Sequence, residues 1–195
     1  MSILKDLKTP IFYVEGIPNI DISSYKLIIN GLVKKERVFN FEEIKRLPFS
    51  RVDARLTSVS GWSVRAVWEG VLFKDIVEEI EPTEDGKYVT FHSVNGYTTI
   101  VSFDDIMHPR SLICYAVNGE ELEPEYGGPV RAIIPHLWGY KSCKGLVRVE
   151  FTDSMDGGYW EDRGYSRSGK IEEGITLDIN TRNRRWIKGG EVLDF

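Results

Sequence analysis

Apolar and polar positions alternate along most of this chain in short runs punctuated by Asn-Gly, Gly and Pro. Tyr25 to Ile29 alternates in this way and predicts a strand, and Arg37 to Phe41 predicts a second. Asn30-Gly31 between them is a turn signal, although Leu32 to Glu36 makes the connection longer than a tight hairpin. Phe41 to Leu47 reads as a short helix with Asn40 as its N-cap, stopped by Pro48. Val71 to Ile80 also has helical spacing and ends before Pro82. Lys87 to Ser93 and Tyr97 to Val101 are strand candidates joined at Asn95-Gly96. Apolar runs follow at Ser111 to Val117, closed by Asn118-Gly119, and at Val130 to Ile134, closed by Pro135. Leu146 to Phe151 is a further strand candidate. Many short strands with few short helices predict a β-rich α+β domain. From Thr152 onward Gly, Asp, Arg and Ser dominate, which predicts an extended tail that wraps the core or contacts another subunit.

A length of 195 residues suits one domain, or one domain with a long tail, and allows a substantial core. With 42% hydrophobic and 28% charged residues the balance is globular. The net charge of −5 argues against nucleic acid as the main partner, because neutralising phosphates needs a basic surface. A local basic cluster could still hold one small anion. No stretch approaches the roughly 20 apolar residues of a membrane span. Met1 to Lys8 forms neither a signal-peptide core nor a twin-arginine start, so the expected location is the cytoplasm. Cys114 and Cys143 are too few for a disulfide scaffold, and no Cys or His spacing suggests structural zinc. Any metal must therefore arrive with a cofactor.

The segment richest in candidate chemistry is Tyr126-Gly127-Gly128-Pro129-Val130-Arg131, running on to Pro135-His136-Leu137-Trp138-Gly139-Tyr140-Lys141-Ser142-Cys143-Lys144. Its glycines allow close backbone approach to a ligand or positive φ. Arg131 at the start of a buried strand, Lys144 on the following loop and the free N–H groups of a Gly/Ser turn would make a phosphate receptor. Charge and spacing alone favour the plainer picture of a strand, a turn and solvated lysines.

The order of these residues points further. GGPVR followed by PHLWGYKSCK resembles the sulfite oxidase family of molybdopterin-binding domains, and five other segments agree in the same order. They are Phe12-Tyr13, Asn30 to Val33, Gly61-Trp62-Ser63 with Val67 to Val71, Asn95 to Thr99, and Tyr159 to Tyr165. The resemblance covers roughly residues 9 to 165. It implies a molybdopterin-binding domain at 1–165 with the family's mixed-sheet fold, and a C-terminal extension at 166–195 packing on the domain or on a neighbouring subunit. By the same resemblance, Arg131, Ser142, Cys143 and Lys144 would contact the phosphate and pterin, the last three partly through backbone groups. Ser93 falls where the family hydrogen-bonds the cofactor, and Tyr126 would reach the pterin with its polar tip. Phe12 and Tyr13 would flank the cofactor, or be ordinary core aromatics.

One departure matters. Where the family has a cysteine that binds molybdenum, this chain has Ser58. A thiolate is a soft, readily ionised donor, whereas a serine hydroxyl ionises only beside a strong Lewis acid. Three readings stay open. Ser58 is a metal ligand and catalytic residue of an enzyme with altered potential, or the protein binds molybdopterin or a pterin phosphate without turnover, or a serine has replaced a native cysteine. For an active enzyme the resemblance implies oxo transfer to or from a small sulfur oxyanion or sulfoxide at molybdenum, with tungsten as the alternative metal. A separate electron-transfer protein would accept or supply the electrons, since the chain has neither a haem motif nor a dinucleotide fingerprint. Arg55, Trp62, Arg65, His136 and Arg163 are the substrate-side candidates, with Arg55 and His136 taken as catalytic. Surface charge is the competing role for Arg65, and a satisfied structural histidine for His136.

Overall fold

The computed structural model describes residues 3–14 and 16–193, so the outer limits of both predicted segments lie outside the described residues. Its strands in chain order are β1 (Leu27–Gly31), β2 (Arg37–Phe39), β3 (Phe49–Ser58), β4 (Trp62–Leu72), β5 (Tyr88–Ser93) and β6 (Thr98–Ser102). They continue with β7 (Leu112–Val117), β8 (Glu120–Glu121), β9 (Arg131–Ile133), β10 (Leu146–Thr152), β11 (Gly174–Leu177) and β12 (Arg184–Ile187). Four short helices accompany them: α1 (Ile3–Asp6), α2 (Phe41–Arg46), α3 (Phe73–Ile80) and α4 (Phe103–Met107). This is the expected β-rich α+β architecture.

Two five-stranded sheets carry the fold. The first has the order β2-β1-β10-β5-β6 and is mixed, because β1 runs parallel to β10 while its other pairs are antiparallel. The second has the order β3-β4-β7-β8, with β9 sharing β7 as a neighbour. Alternation along β7 explains how the sheets share a core. Ile113 and Tyr115 join the cluster built on the first sheet and on α2 and α3, whereas Leu112 and Cys114 join a second cluster with β3 and β4. Buried on both faces, β7 reads as a continuous apolar run.

Local chemistry sets the helix limits. Asn40 accepts the Glu43 N–H and Glu43 returns a carboxylate to the Asn40 N–H, a capping box that starts α2 where the sequence predicted it. The helix expected from Val71 begins instead at Phe73, because Val71 and Leu72 complete β4 against Ile113 and Leu112. The long β3–β4 hairpin was not among the predicted strands, although Val52, Ala54 and Leu56 alternate into the core opposite Val64, Ala66 and Trp68. Gly70 lets β4 meet β7 closely, since a Cβ there would lie 2.0 Å from the Ile113 carbonyl.

The tail is not simply extended. β11 and β12 pair into a ribbon, and Ile171, Ile187 and Val192 form a third cluster with Val59 and Trp138. This arm therefore packs on the tip of the β3–β4 hairpin. Among the described residues no helix is long and apolar enough to cross a membrane.

Candidate functional site

A cavity of about 310 Å³ opens where both sheets, the N-terminal segment and the arm meet. Its wall includes Phe12 and Tyr13, the Ser58 to Trp62 hairpin tip, Ser93 and Asn95 after β5, and Tyr126 and Arg131. The loop after β9 adds Ser142 and Lys144, and Trp160, Tyr165 and the turn at Asp178 to Thr181 complete it.

Arg131 opens β9 opposite Cys114 of β7 and is only 2% exposed. Its guanidinium donates to the carbonyls of Tyr126 at 2.7 Å and Ser142 at 3.2 Å, and stands 5.6 Å above the Trp68 ring. Those carbonyls fix the fork while leaving donors over, and no carboxylate among the described residues pairs with it. Lys144 completes the cationic pair. Its ammonium donates to the Phe12 carbonyl at 2.9 Å and lies 4.4 Å over the Tyr13 ring. Burial, and then the charge of Arg131, push its pKa down to about 7. Gly127, at φ 106°, makes this crowding possible: a Cβ there would meet Lys144 Cγ at 3.0 Å and Arg131 Cβ at 3.2 Å. Two neighbouring cations, largely removed from water and without an acidic partner, are costly in isolation and favourable around an anion.

The aromatic wall is held as firmly. The Tyr13 hydroxyl donates to the Pro124 carbonyl at 2.5 Å, and burial pushes its pKa up to about 12. Phe12 stacks on Trp160 at 6.3 Å. The Tyr126 hydroxyl reaches the Thr9 carbonyl at 3.4 Å. The Ser93 hydroxyl donates to Asn95 Oδ1 at 2.7 Å, and the Ser142 hydroxyl accepts the Ile134 N–H at 3.0 Å. Ser58 ends β3, with Oγ 2.7 Å from Ser60 Oγ.

Of the residues chosen from sequence, Phe12, Tyr13, Ser58, Ser93, Tyr126, Arg131, Ser142 and Lys144 come together around this cavity. Arg55, His136 and Cys143 are not in its wall. Alternation along β3 puts Leu56 and Ser58 on the cavity side and Arg55 on the other, where its guanidinium reaches Ser63 Oγ at 3.3 Å. His136 Nε2 is 3.0 Å from Asp105 Oδ1, and its ring lies 4.2 Å from that of His108, which ties it to α4. Cys143 turns into the first core cluster at 1% exposure. Arg65 forms a paired bond to Asp53 on the surface, and Arg163 covers the Tyr159 ring at 3.6 Å. Trp62 does line the cavity. Lys141 is not a solvated lysine: it is fully buried against Glu161.

Sequence reading assigned no role to Asn95, Trp160, Tyr165, Asn180 or Thr181, all of which line the cavity. Trp160 and Tyr165 lay within a noted motif, so their ring size was a usable signal. The arm residues carried none, because their position follows from β11–β12 pairing.

Among the described residues no cluster of three or more His, Cys, Asp or Glu could hold a metal ion. The thiols of Cys114 and Cys143 are buried, and burial pushes that of Cys114 up to about 12. The donor set instead fits the anionic end of an organic group: an acid-free cationic pair, a glycine that admits close approach, and flat aromatic walls.

Comparisons with known proteins agree with this geometry. The family model described as the oxidoreductase molybdopterin binding domain matches residues 14–160. The uncharacterized oxidoreductase YuiH of Bacillus subtilis is 36% identical over 162 residues, 82% of each chain. The protein-methionine-sulfoxide reductase catalytic subunit MsrP of Campylobacter jejuni is 25% identical, over 89% of this chain and 63% of its own length. In fold, the chain is similar to the sulfane dehydrogenase SoxCD of Paracoccus pantotrophus, with a TM-score of 0.68 and 20% identity over 90% of this chain and 47% of that one. This chain thus spans less than two thirds of the MsrP relative and under half of the SoxCD chain. On the matched segment and the cavity it builds, the chain belongs to the oxidoreductase molybdopterin-binding domain family.

Proposed function

We propose that this domain holds molybdopterin by its phosphate at Arg131 and Lys144 and carries out oxo transfer to or from a small sulfur compound. The observation that carries the proposal is the acid-free pair of buried Arg131 and part-buried Lys144 in a cavity that Ser58 also lines. When bound, the cofactor supplies two-electron oxo-transfer chemistry at molybdenum or tungsten. The chain supplies position and electrostatics. Arg131, braced by the Tyr126 and Ser142 carbonyls, and Lys144 hold the anionic end, while Tyr13, Trp160 and Phe12 exclude water beside it. Ser58 offers a hydroxyl oxygen at the position where the family has a cysteine ligand.

The wall also favours one substrate class. Its cationic side chains are Arg131 and Lys144, both assigned to the phosphate, whereas Ser58 is accompanied by Leu56, Val59, Trp62 and Ser60. No lysine or arginine of the cavity wall is left to pair with a sulfur oxyanion there, so a neutral sulfoxide is the better fit. The relative named as a protein-methionine-sulfoxide reductase subunit supports the same chemistry. Electrons would come from a separate carrier protein.

A second reading, a pterin-binding protein without turnover, is favoured by one observation: neither thiol lines the cavity. Elemental analysis together with pterin fluorescence after acid release separates the two. About one molybdenum or tungsten per pterin, with sulfoxide turnover lost in Ser58→Ala and retained in Ser58→Cys, supports the enzyme. Pterin without metal supports the binder, and absence of pterin from freshly purified protein defeats both.

A further inference from the structure

We infer that the outer face of the β11–β12 ribbon is the docking surface for the electron donor, an acidic one-electron carrier protein. The inference rests on the oxo-transfer reading and names the partner of that reaction. Three observations carry it.

First, the ribbon has two unlike faces. Ile175 stands opposite Trp186, and the two are 72% and 59% exposed, whereas Ile187 beside Trp186 is 4% exposed. Alternation puts Arg184 on the face of Trp186, and Lys188 is exposed two residues beyond it. Second, these cations are uncompensated. Arg182 to Lys188 holds four cations and no acid, in a chain of net charge −5. Arg184 and Lys188 form no ion pair among the described residues, unlike exposed Arg37, Arg65 and Arg167, which meet Glu79, Asp53 and Asp162. A negatively charged protein surface is their complement. Third, the inner face sits on the hairpin that bears Ser58. Arg185 packs on Gly61 so closely that a Cβ there would lie 2.5 Å from its guanidinium carbon, and Ile187 shares an apolar cluster with Val59. Trp186 lies between these two residues, so a carrier on the outer face is one layer of chain from the Ser58 hairpin.

Size separates the possible occupants. The face is four residues long and two strands wide, about 13 Å by 10 Å. That is far below the roughly 800 Å² per partner of a stable complex and suits a transient redox encounter. Two apolar side chains likewise give little insertion into a lipid surface. Reduction of one sulfoxide to a sulfide and water takes two electrons and two protons. Two carrier molecules dock in turn and each gives up one electron, while the protons come from solvent.

The test uses purified holoprotein as wild type, Arg184→Glu/Lys188→Glu and Trp186→Ala, with dimethyl sulfoxide as substrate and two reductants. Reduced methyl viologen, a small dye, needs no docking face, so its turnover should be equal in all three proteins. With a reduced acidic flavodoxin as donor, KM for flavodoxin should rise at least tenfold in the charge variant and several-fold in Trp186→Ala. The dissociation constant of oxidised flavodoxin, from chemical-shift titration, should rise by the same factors. Added salt should weaken the wild-type interaction and leave the charge variant little changed. Equal losses with both reductants, no loss with flavodoxin, or a wild type that takes electrons from viologen and none from flavodoxin overturns the inference while leaving oxo transfer standing. So does a dimer, or sedimentation with phosphatidylglycerol vesicles, that the charge variant abolishes, since the face then belongs to a second copy or to a membrane. A wild-type holoprotein that reduces no sulfoxide with viologen overturns the oxo-transfer reading and the inference together.

Discussion

The ammonium of Lys141 lies 2.6 Å from Glu161 Oε1, with both side chains sealed from solvent. Lys141 also donates to the carbonyls of Ile100 and Arg167, and the same carboxylate oxygen accepts the Thr99 hydroxyl. One ion pair thus ties β6, the loop that carries Ser142 and Lys144, and the segment that carries Trp160 and Tyr165. It supports the cavity without lining it.

Glu161→Ala would strand that ammonium in the interior. Burial already pushes the pKa of Lys141 down against the pull of Glu161. Urea unfolding should show a loss of about 3–5 kcal/mol, as expected when one partner of a buried pair is removed. The double variant Lys141→Met/Glu161→Leu should recover most of it, because it leaves no buried charge.

Lys144 should give the domain a characteristic pH dependence. Its pKa in the folded chain is about 7, against 10.5 for the ordinary group. Between those values the unfolded chain binds the extra proton, so its contribution makes stability rise with pH from about 7 to 10.5 and stay flat below about 7. Anion binding has the opposite sign, since it needs the ammonium. Calorimetric titration of cofactor-free protein with sulfate, whose charge is constant, should show affinity falling above pH 7. Lys144→Met should remove both dependences, seen as a flattened stability profile between pH 7 and 10.

Gly127→Ala should weaken cofactor retention without abolishing folding. A side chain at φ 106° is strained, and its Cβ would press on both Lys144 and Arg131. The expected result is several-fold less pterin per purified chain, measured after acid release.

The cysteines should behave as inert core groups. Cys114 donates to the Ala116 carbonyl at 3.1 Å, and burial pushes both thiols up. Neither should react with Ellman's reagent in the folded protein, and both should react in guanidinium. Rapid labelling of native protein would contradict the buried placement.

Much of this was legible before any coordinates. Asn40 announced a helix start because a capping side chain reaches only its own turn, and the apolar run ending at Val117 marked the place of β7, whose burial on both faces came from the fold. The motif around Arg131 and Lys144 named the cationic pair, because its order along the chain was distinctive. The β3–β4 hairpin carried a period-two pattern as well, Val52, Ala54 and Leu56 alternating with Arg51, Asp53 and Arg55, although it was not among the predicted strands.

Other features were decided only in three dimensions. Lys141 and Lys144 stand three residues apart with the same chemistry, yet one meets a carboxylate supplied by Glu161 and the other meets only Arg131 and ring faces. His136 and Arg55 were credible site residues until packing directed one to Asp105 and the other to the far face of β3. Asn180 reaches the cavity only because the arm folds back onto Val59 and Gly61. The sequence by itself determined many of the elements, the family and the chemical types at the site, since propensity, capping and motif order act over a few residues. Tertiary structure decided which charges are paired, which are left for an anion, and which distant segment closes the wall. A side chain's electrostatic role depends on what long-range packing puts beside it and on how much water that packing removes.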